Sequence, residues 1–444
     1  MERGEKMKTA SIVQAKRKLR SLGRTVLVLL LFVSVLFSGR LQATAAGKVD
    51  ASVKVDLAAT KQIIRGFCAA SAWCGSISDT NMDILFKDMG LSILRVRIAP
   101  SEIWKAAPVL VDSGWTVELY NAKKASARGA IVIATPWTPP ASMKTNNSLV
   151  GGELKPEEYA NYAQYLKAFA DYFTHNRVPL YAISIQNEPN IEVDYESCHW
   201  TGEQMRDFLK NHGEVFGGLR IIMPEAYNFD FRLSEPALKD PEASKYVTII
   251  GGHLYGAMIR DYPRARREGK EVWMTEHLVN DQSLRAALDT AKEIHDCLTI
   301  GNMNAYIWWW VISDANGFLN KQYLPQKRGY VVGQFARFVR PGYYRVEATS
   351  RPAANVHVTA YKGDGKVVIV AINRRRSPVD LEFTLENGKP AEVFSWVTTA
   401  EDNIAPGPAL AVSGGSFRAG LPAQSVTTFV GELLAPGVMG TPAE

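Results

Sequence analysis

Eight apolar runs of strand length, alternating with amphipathic stretches, constrain this chain more than any other feature of its sequence. The runs are Ile63–Phe67, Leu91–Ile98, Ala130–Ala134, Leu180–Ile185, Arg220–Met223, Val247–His253, Glu271–Thr275 and Asn304–Val311. Several are nearly continuous in Ile, Val and Leu, as parallel strands buried on both faces must be. The clearest helical stretch between them has Tyr159, Tyr162, Leu166, Phe169 and Phe173 on one stripe, after Pro156 and two glutamates. Strand and helix repeated eight times predict an α/β fold, a (β/α)8 TIM barrel over residues 61–340, rather than an open sheet.

After Arg340-Pro341-Gly342 the texture changes. Val356–Tyr361 and Val367–Ile372 flank Lys362-Gly363-Asp364-Gly365, a hairpin signal, and short β segments follow at Leu381–Leu385, Glu392–Val397 and Ser425–Val430. Residues 341–434 are expected to form an antiparallel β-sandwich side domain. Residues 46–60, where Ser52–Leu57 alternates, are expected to supply that domain with an N-terminal strand, and residues 435–444 read as a tail.

The front of the chain is different in kind. Lys16, Arg17, Lys18, Arg20 and Arg24 precede an apolar run, Val26–Phe37, and then small residues at Ala43-Thr44-Ala45-Ala46. That order predicts a signal peptide over residues 1–45, cleavage near Ala45, and a secreted protein. The apolar run is too short to serve as a stable membrane anchor. Residues 1–45 hold nine Lys or Arg against two Glu, which exceeds the whole chain's net charge of +6. The basicity therefore belongs to the targeting segment and gives no case for nucleic acid. Four cysteines, Cys68, Cys74, Cys198 and Cys297, allow three complete pairings, and spacing does not choose among them. No C-x-x-C occurs, and His199 beside Cys198 lacks zinc spacing, so no metal or other cofactor is assigned.

Residues just past the C-terminal strand ends of such a barrel face one shared cleft. Gln186-Asn187-Glu188-Pro189 follows one strand, and alternation puts Glu188 with Ala182, Ser184 and Gln186 on the lumen side, with Ile183 and Ile185 facing helices. Alone, that tripeptide reads equally as a surface carboxylate in a turn. A second strand, Glu271–Thr275, also ends in a carboxylate, Glu276, about three βα units later. Two carboxylates across one mouth fit glycoside hydrolysis with retention, which needs an acid to protonate the leaving oxygen and a nucleophile about 5–5.5 Å away. Aromatic side chains crowd the same ends: Trp73, Trp137, Tyr255 near His253, and Trp308-Trp309-Trp310. Alternation sends one or two of the last three to the lumen, where flat rings suit sugars, although each tryptophan singly reads as core. Arg97, ending its strand, needs a partner, either a strand-end carboxylate or a purely structural ion pair.

These residues resemble glycoside hydrolase family 30, in particular its bacterial xylanase branch, over Val53 to Phe429. The resemblance lies in Arg65-Gly66-Phe67, Leu91–Arg95, Thr135–Pro140, Tyr181–Pro189, Gly252–Gly256, Trp273–Glu276, Ala305–Trp309, Lys327–Tyr330, Phe338–Tyr343, Tyr361–Asp364 and Leu421–Phe429. It implies a barrel with a β side domain, a retaining mechanism, Glu188 as acid/base and Glu276 as nucleophile. It further implies that Asn187 bonds the sugar 2-hydroxyl, that Tyr255 holds the nucleophile, and that Trp137 and Trp309 wall the subsite of the cleaved sugar. Trp73, His253 and Arg97 complete the expected substrate site. The implied partner is a plant cell-wall polysaccharide, xylan or its oligomers, hydrolysed by a monomer.

Two stretches depart from the pattern. Glucuronoxylan-specific relatives place arginine and tyrosine after the eighth strand, and this chain has Val311-Ile312-Ser313-Asp314-Ala315-Asn316-Gly317. Bidentate carboxylate recognition cannot be built from these residues, so no dependence on glucuronate branches is expected. The loop Ala99–Gly114 is longer than in those relatives, and either walls off far subsites or packs on the rim. A β-glucosidase or β-glucanase, and a non-catalytic carbohydrate-binding protein, are the competing readings.

Overall fold

The computed structural model describes residues 49–434. The expected signal peptide and tail lie outside them. Among the described residues, no helix is long and apolar enough to cross a membrane.

The first strand, β1 (Ala51–Ile63), belongs to the side domain. Eight parallel strands then close a barrel: β2 (Gly66–Ala70), β3 (Ile93–Ile98), β4 (Ile131–Pro136), β5 (Ala182–Ser184), β6 (Arg220–Ala226), β7 (Val247–His253), β8 (Glu271–Glu276) and β9 (Ala305–Trp310). The run expected as one strand over Ile63–Phe67 is split between the two domains, with Ile63 paired to Tyr344 and Gly66 to Ala305. Gly66 makes the break possible. Its φ is +139°, and a Cβ there would lie 2.1 Å from Ser92 Oγ. Apolarity cannot reveal such a bend, because Ile64 and Phe67 on either side of it are both fully buried.

The lumen is filled by Cys68, Ile93, Ile133, Ala182, Ile222, Ile249, Trp273, Ala305 and Ile307. Ile183 and Ile185 face outward, into the cluster shared with the helices, as strand alternation requires. The four cysteines are free thiols, three of them buried.

The side domain continues with β10 (Tyr344–Ala348), β11 (Val356–Gly363), β12 (Lys366–Asn373), β13 (Val379–Glu386), β14 (Glu392–Thr398), β15 (Ala405–Pro406), β16 (Leu410–Ala411), β17 (Ser416–Leu421) and β18 (Ser425–Glu432). The sheet order is β15-β14-β18-β12-β11-β10-β1-β13-β17, and β1 runs parallel to β13, so the sandwich is mixed rather than purely antiparallel. One face encloses its own core, from Val53 and Val55 to Phe383 and Phe429. The other face of β11, β12 and β18 offers Tyr361, Val368, Val370, Ile372 and Val426 to the barrel's cluster, with Leu288 and Ala291 of the helix Leu284–Thr299 and Val332 of the helix Lys327–Ala336. Burial on both faces explains why Val367–Ile372 is apolar throughout instead of alternating.

Because β1 lies between β10 and β13, it is a central strand of the sandwich. Val55→Asp would place an unpaired charge at a fully buried position. The expected cost is about 4 kcal/mol, a fall of about 5 °C in the melting midpoint by calorimetry. An unchanged midpoint would mean that β1 is peripheral.

Candidate active site

Three strand ends bring carboxylates to the C-terminal mouth of the barrel. Glu276 is the last residue of β8, Glu225 the penultimate residue of β6, and Glu188 lies four residues beyond β5. Glu188 has φ +46°, an uncommon region for a non-glycine residue. Its N–H donates to Glu225 O at 3.0 Å and the neighbouring Asn187 N–H donates to Pro136 O at 2.8 Å, so adjacent strands hold this conformation.

Arg95, fully buried on β3, sits among these groups. Its Nη1 donates to Glu276 Oε2 at 2.6 Å, while Nη2 donates to Asn187 Oδ1 at 2.7 Å and Glu225 Oε1 at 3.3 Å. Glu276 Oε1 accepts from Tyr255 OH at 2.9 Å. Glu188 Oε1 lies 2.8 Å from His253 Nδ1, and its Oε2 accepts from Tyr195 OH at 3.2 Å. Oxygens of Glu188 and Glu276 and a ring nitrogen of His253 all lie within 4.8 Å of one another.

Charge is distributed unevenly across this cluster. Burial lowers the His253 imidazole, but Glu276, Glu188 and Glu225 outweigh it and lift its pKa to about 9, so His253 is a cation at neutral pH. Burial raises Glu225, but Arg95 and His253 hold it down at about 2. Burial also raises Glu276, reinforced by Glu188 and opposed by His253 and Arg95. Burial and then Glu276 push the Tyr255 phenol well up, and burial and then Glu188 do the same for Tyr195. Both phenols therefore stay protonated and act as donors. Glu188, His253 and Glu276 could also offer three donor atoms to a metal ion. A protonated His253 has no lone pair to give, and Arg95 already supplies positive charge at Glu276, which together disfavour a metal ion there.

Around the carboxylates lies a cavity of about 430 Å³ lined by Trp73, Trp137, Glu188, Tyr195, Tyr227, Tyr255, Glu276, Leu278, Trp309 and Trp310. Trp73, Trp137 and Trp309 lie edge to face or tilted, with centroids 5.1 to 6.1 Å apart. Tyr227 stacks on Tyr255 at 4.9 Å. A mostly apolar wall with convergent acids is the chemistry of a sugar site.

Of the expected residues, Glu188, Glu276, Trp137, Trp309, Trp73 and Tyr255 line this cavity, and Asn187 and His253 are buried beside it. Arg97 is the exception. It does not line the cavity, and its guanidinium lies 4.6 Å from the Trp73 ring and pairs with Glu196. The arginine at the carboxylates is Arg95, two residues earlier on the same strand face. A charge within a buried strand always demands a partner, so Arg95 was detectable on the same ground as Arg97. Glu225 also ends a barrel strand, but the run read from the sequence stops at Met223 while the strand continues to Ala226, so the rule that selects Glu188 and Glu276 does not reach it. Tyr195 and Tyr227 sit on loops, where no periodicity marks them. Simple alternation fails at the tryptophans: Ala69 pairs with Trp308 and Ala70 with Trp310, and this irregularity lets both Trp309 and Trp310 reach the cavity. Trp308 is core, its Nε1 donating to Asn316 O at 2.6 Å. No residue of Ala99–Gly114 lines the cavity, and Trp104 packs against Tyr165 on the helix Tyr159–His175 at 6.1 Å.

Comparison with known proteins bears on this geometry. Residues 111–267 match the glycosyl hydrolase family 30 TIM-barrel domain, and residues 342–429 match the family's beta sandwich domain. A glucuronoxylanase, XynC, of Bacillus subtilis (strain 168) is 39% identical over 399 residues, covering 85% of this chain and 91% of the relative. Xyn30A from Clostridium acetobutylicum, a xylanase of family 30 subfamily 8, is 52% identical with a TM-score of 0.84, covering 86% of this chain and 99% of that one. A family 30 endoxylanase from Clostridium papyrosolvens C71 is 46% identical with a TM-score of 0.81, covering 86% of this chain and 100% of that one.

Arg95→Met would leave two buried carboxylates without their guanidinium. It is expected to cost about 3–5 kcal/mol of stability by denaturant unfolding. Turnover should fall by about 10²-fold or more, and Arg95→Lys, which cannot span three partners, should lose turnover with a smaller loss of stability. Wild-type turnover in either variant would contradict this assignment.

Proposed function

The chain belongs to glycoside hydrolase family 30, and on that premise we propose that it cleaves β-1,4-xylan with retention, Glu188 serving as acid/base and Glu276 as nucleophile. The observation that carries the reading is the approach of the two carboxylates within 4.8 Å inside a tryptophan-lined cavity. A separation of about 5 Å suits attack by one carboxylate, whereas inversion needs roughly 6.5–9.5 Å to admit a water between them. Glu188 protonates the leaving oxygen while Glu276 attacks C1, giving a glycosyl-enzyme ester. Glu188 then takes a proton from water as the ester is hydrolysed. Arg95 and Tyr255 fix one oxygen each of Glu276. Arg95 also occupies Asn187 Oδ1, which leaves the amide NH2 to donate to the sugar 2-hydroxyl.

The same reading carries no requirement for glucuronate. The loop after β9 has no arginine, and Asp314 on it is exposed. Arg97, the guanidinium beside Trp73, is already gripped by Glu196. The loop Ala99–Gly114 lies off the cavity, which supports cleavage within chains. A polymeric substrate calls for action outside the cell.

The test is the product profile on glucuronoxylan, linear xylan and β-glucan, with Glu276→Gln as control. Xylooligosaccharides of mixed length from both xylans, lost in the variant, are expected. Activity that vanishes when glucuronate branches are removed would overturn the independence, and turnover of β-glucan alone would overturn the substrate.

A further inference from the structure

The loop 190–197 leaves the cavity at Glu188-Pro189 and has no regular structure. Its Tyr195 is 45% exposed and donates to the Glu188 carboxylate at 3.2 Å. An exposed phenol on such a loop is aimed by its backbone rather than by packing. That backbone is pinned one residue on, where Glu196 accepts from Arg97 in a fork, Nε to Oε2 at 2.9 Å and Nη2 to Oε1. Arg97 ends β3, and its planar group covers the Trp73 ring at 4.6 Å. One guanidinium thus touches a sugar-facing wall and the loop that serves Glu188.

The pair has a purely structural alternative, that it merely holds the loop down. The loop has a separate anchor for that. Fully buried Lys144 donates to Ser197 O at 2.5 Å and Thr138 Oγ1 at 2.9 Å, and Ser197 N donates to Leu149 O at 3.0 Å. The Arg97 and Glu196 side chains are only 14% and 18% exposed, so breaking the pair carries some cost in stability as well. A bidentate, stacked guanidinium does supply orientation, which a lysine could not.

We propose that Arg97 and Glu196 form a positioning pair that aims Tyr195 at Glu188 and ties it to the Trp73 wall, so that leaving-group protonation is coupled to how the sugar chain is seated. The proposal rests on the reading of Glu188 as the acid/base. Neither residue touches the reacting atoms. Their effect therefore falls on the step that needs an acid.

The experiment compares kcat/KM on xylotetraose, whose leaving sugar needs protonation, with kcat/KM on 2,4-dinitrophenyl β-xylobioside, whose leaving group does not. Both report the first displacement with the same donor sugar. Arg97→Met, Glu196→Gln and Tyr195→Phe are each expected to lower the xylotetraose-to-aryl ratio by about tenfold, part of the 10²–10⁴ that an acid contributes. The Arg97→Met/Glu196→Gln double variant should lose no more than the worse single. An unchanged ratio in any single variant, or losses that multiply in the double, would overturn the proposal. A modest fall in thermal midpoint is expected for Arg97→Met and Glu196→Gln, but Lys144 still holds the loop, and the ratio of two substrates on one enzyme is blind to a uniform loss of folded protein. If the wild type turns over no xylan substrate, that reading fails separately, and the ratio is read on cellotetraose and the matching aryl cellobioside.

Discussion

A guanidinium buried in a barrel has to be met by acceptors, and in this chain that requirement organises the strand ends around it. Arg95 is fully enclosed, with Glu276, Asn187 and Glu225 within hydrogen-bond reach and the Trp137 ring 4.8 Å away. Its partners arrive from strands β6 and β8 and from the end of β5, and each would be costly to bury alone. Glu276, Glu188 and Glu225 together keep His253 charged, with Glu225 Oε1 4.0 Å from its Nε2 and Glu188 Oε1 2.8 Å from its Nδ1. Glu188 and Glu276, whose oxygens lie within 4.8 Å, are thus embedded in a lattice of two cations, Arg95 and His253, and a further carboxylate, Glu225. This lattice lets like charges come close without forcing strands apart.

The scaffold keeps that lattice rigid by burying it from both ends. Below, the lumen is packed with Ile93, Ile133, Ile222, Ile249 and Trp273. On the flank, the sandwich lays β11, β12 and β18 against two barrel helices, so the domains share one apolar cluster. Gly251 and Gly252 on β7 show how tightly the region is filled. A Cβ on Gly251 would stand 2.7 Å from Ile222 and 3.1 Å from Glu225, and one on Gly252 would stand 2.6 Å from the Phe229 ring.

Much of this was legible in the sequence because strand alternation and barrel polarity are strong rules. They place Glu188 and Glu276 at one mouth, and Ile183 and Ile185 on the outer face, from the sequence alone. Where they failed, a local deviation from regular pairing was responsible. The irregularity opposite Ala69 and Ala70 brought Trp310 into the cavity, and the bend at Gly66 moved Ile63 into the other domain. Pairing choices were the other blind spot. Arg95 and Arg97 share a strand face, and only the three-dimensional arrangement gives one to Glu276 and the other to Glu196. Loop residues such as Tyr195 carry no periodic signal at all.

The central claim is that Glu276 attacks the sugar while Glu188 handles the proton. It is tested most directly by incubating the enzyme with a 2-deoxy-2-fluoro-xylobioside bearing an activated leaving group, then mapping the labelled peptide by mass spectrometry. The fluorine slows both displacements and the leaving group restores the first, so an ester should accumulate. A fluoroxylobiosyl adduct on Glu276 is the expected result. An adduct on Glu188 or Glu225, or no adduct together with release of product of inverted configuration, would contradict it.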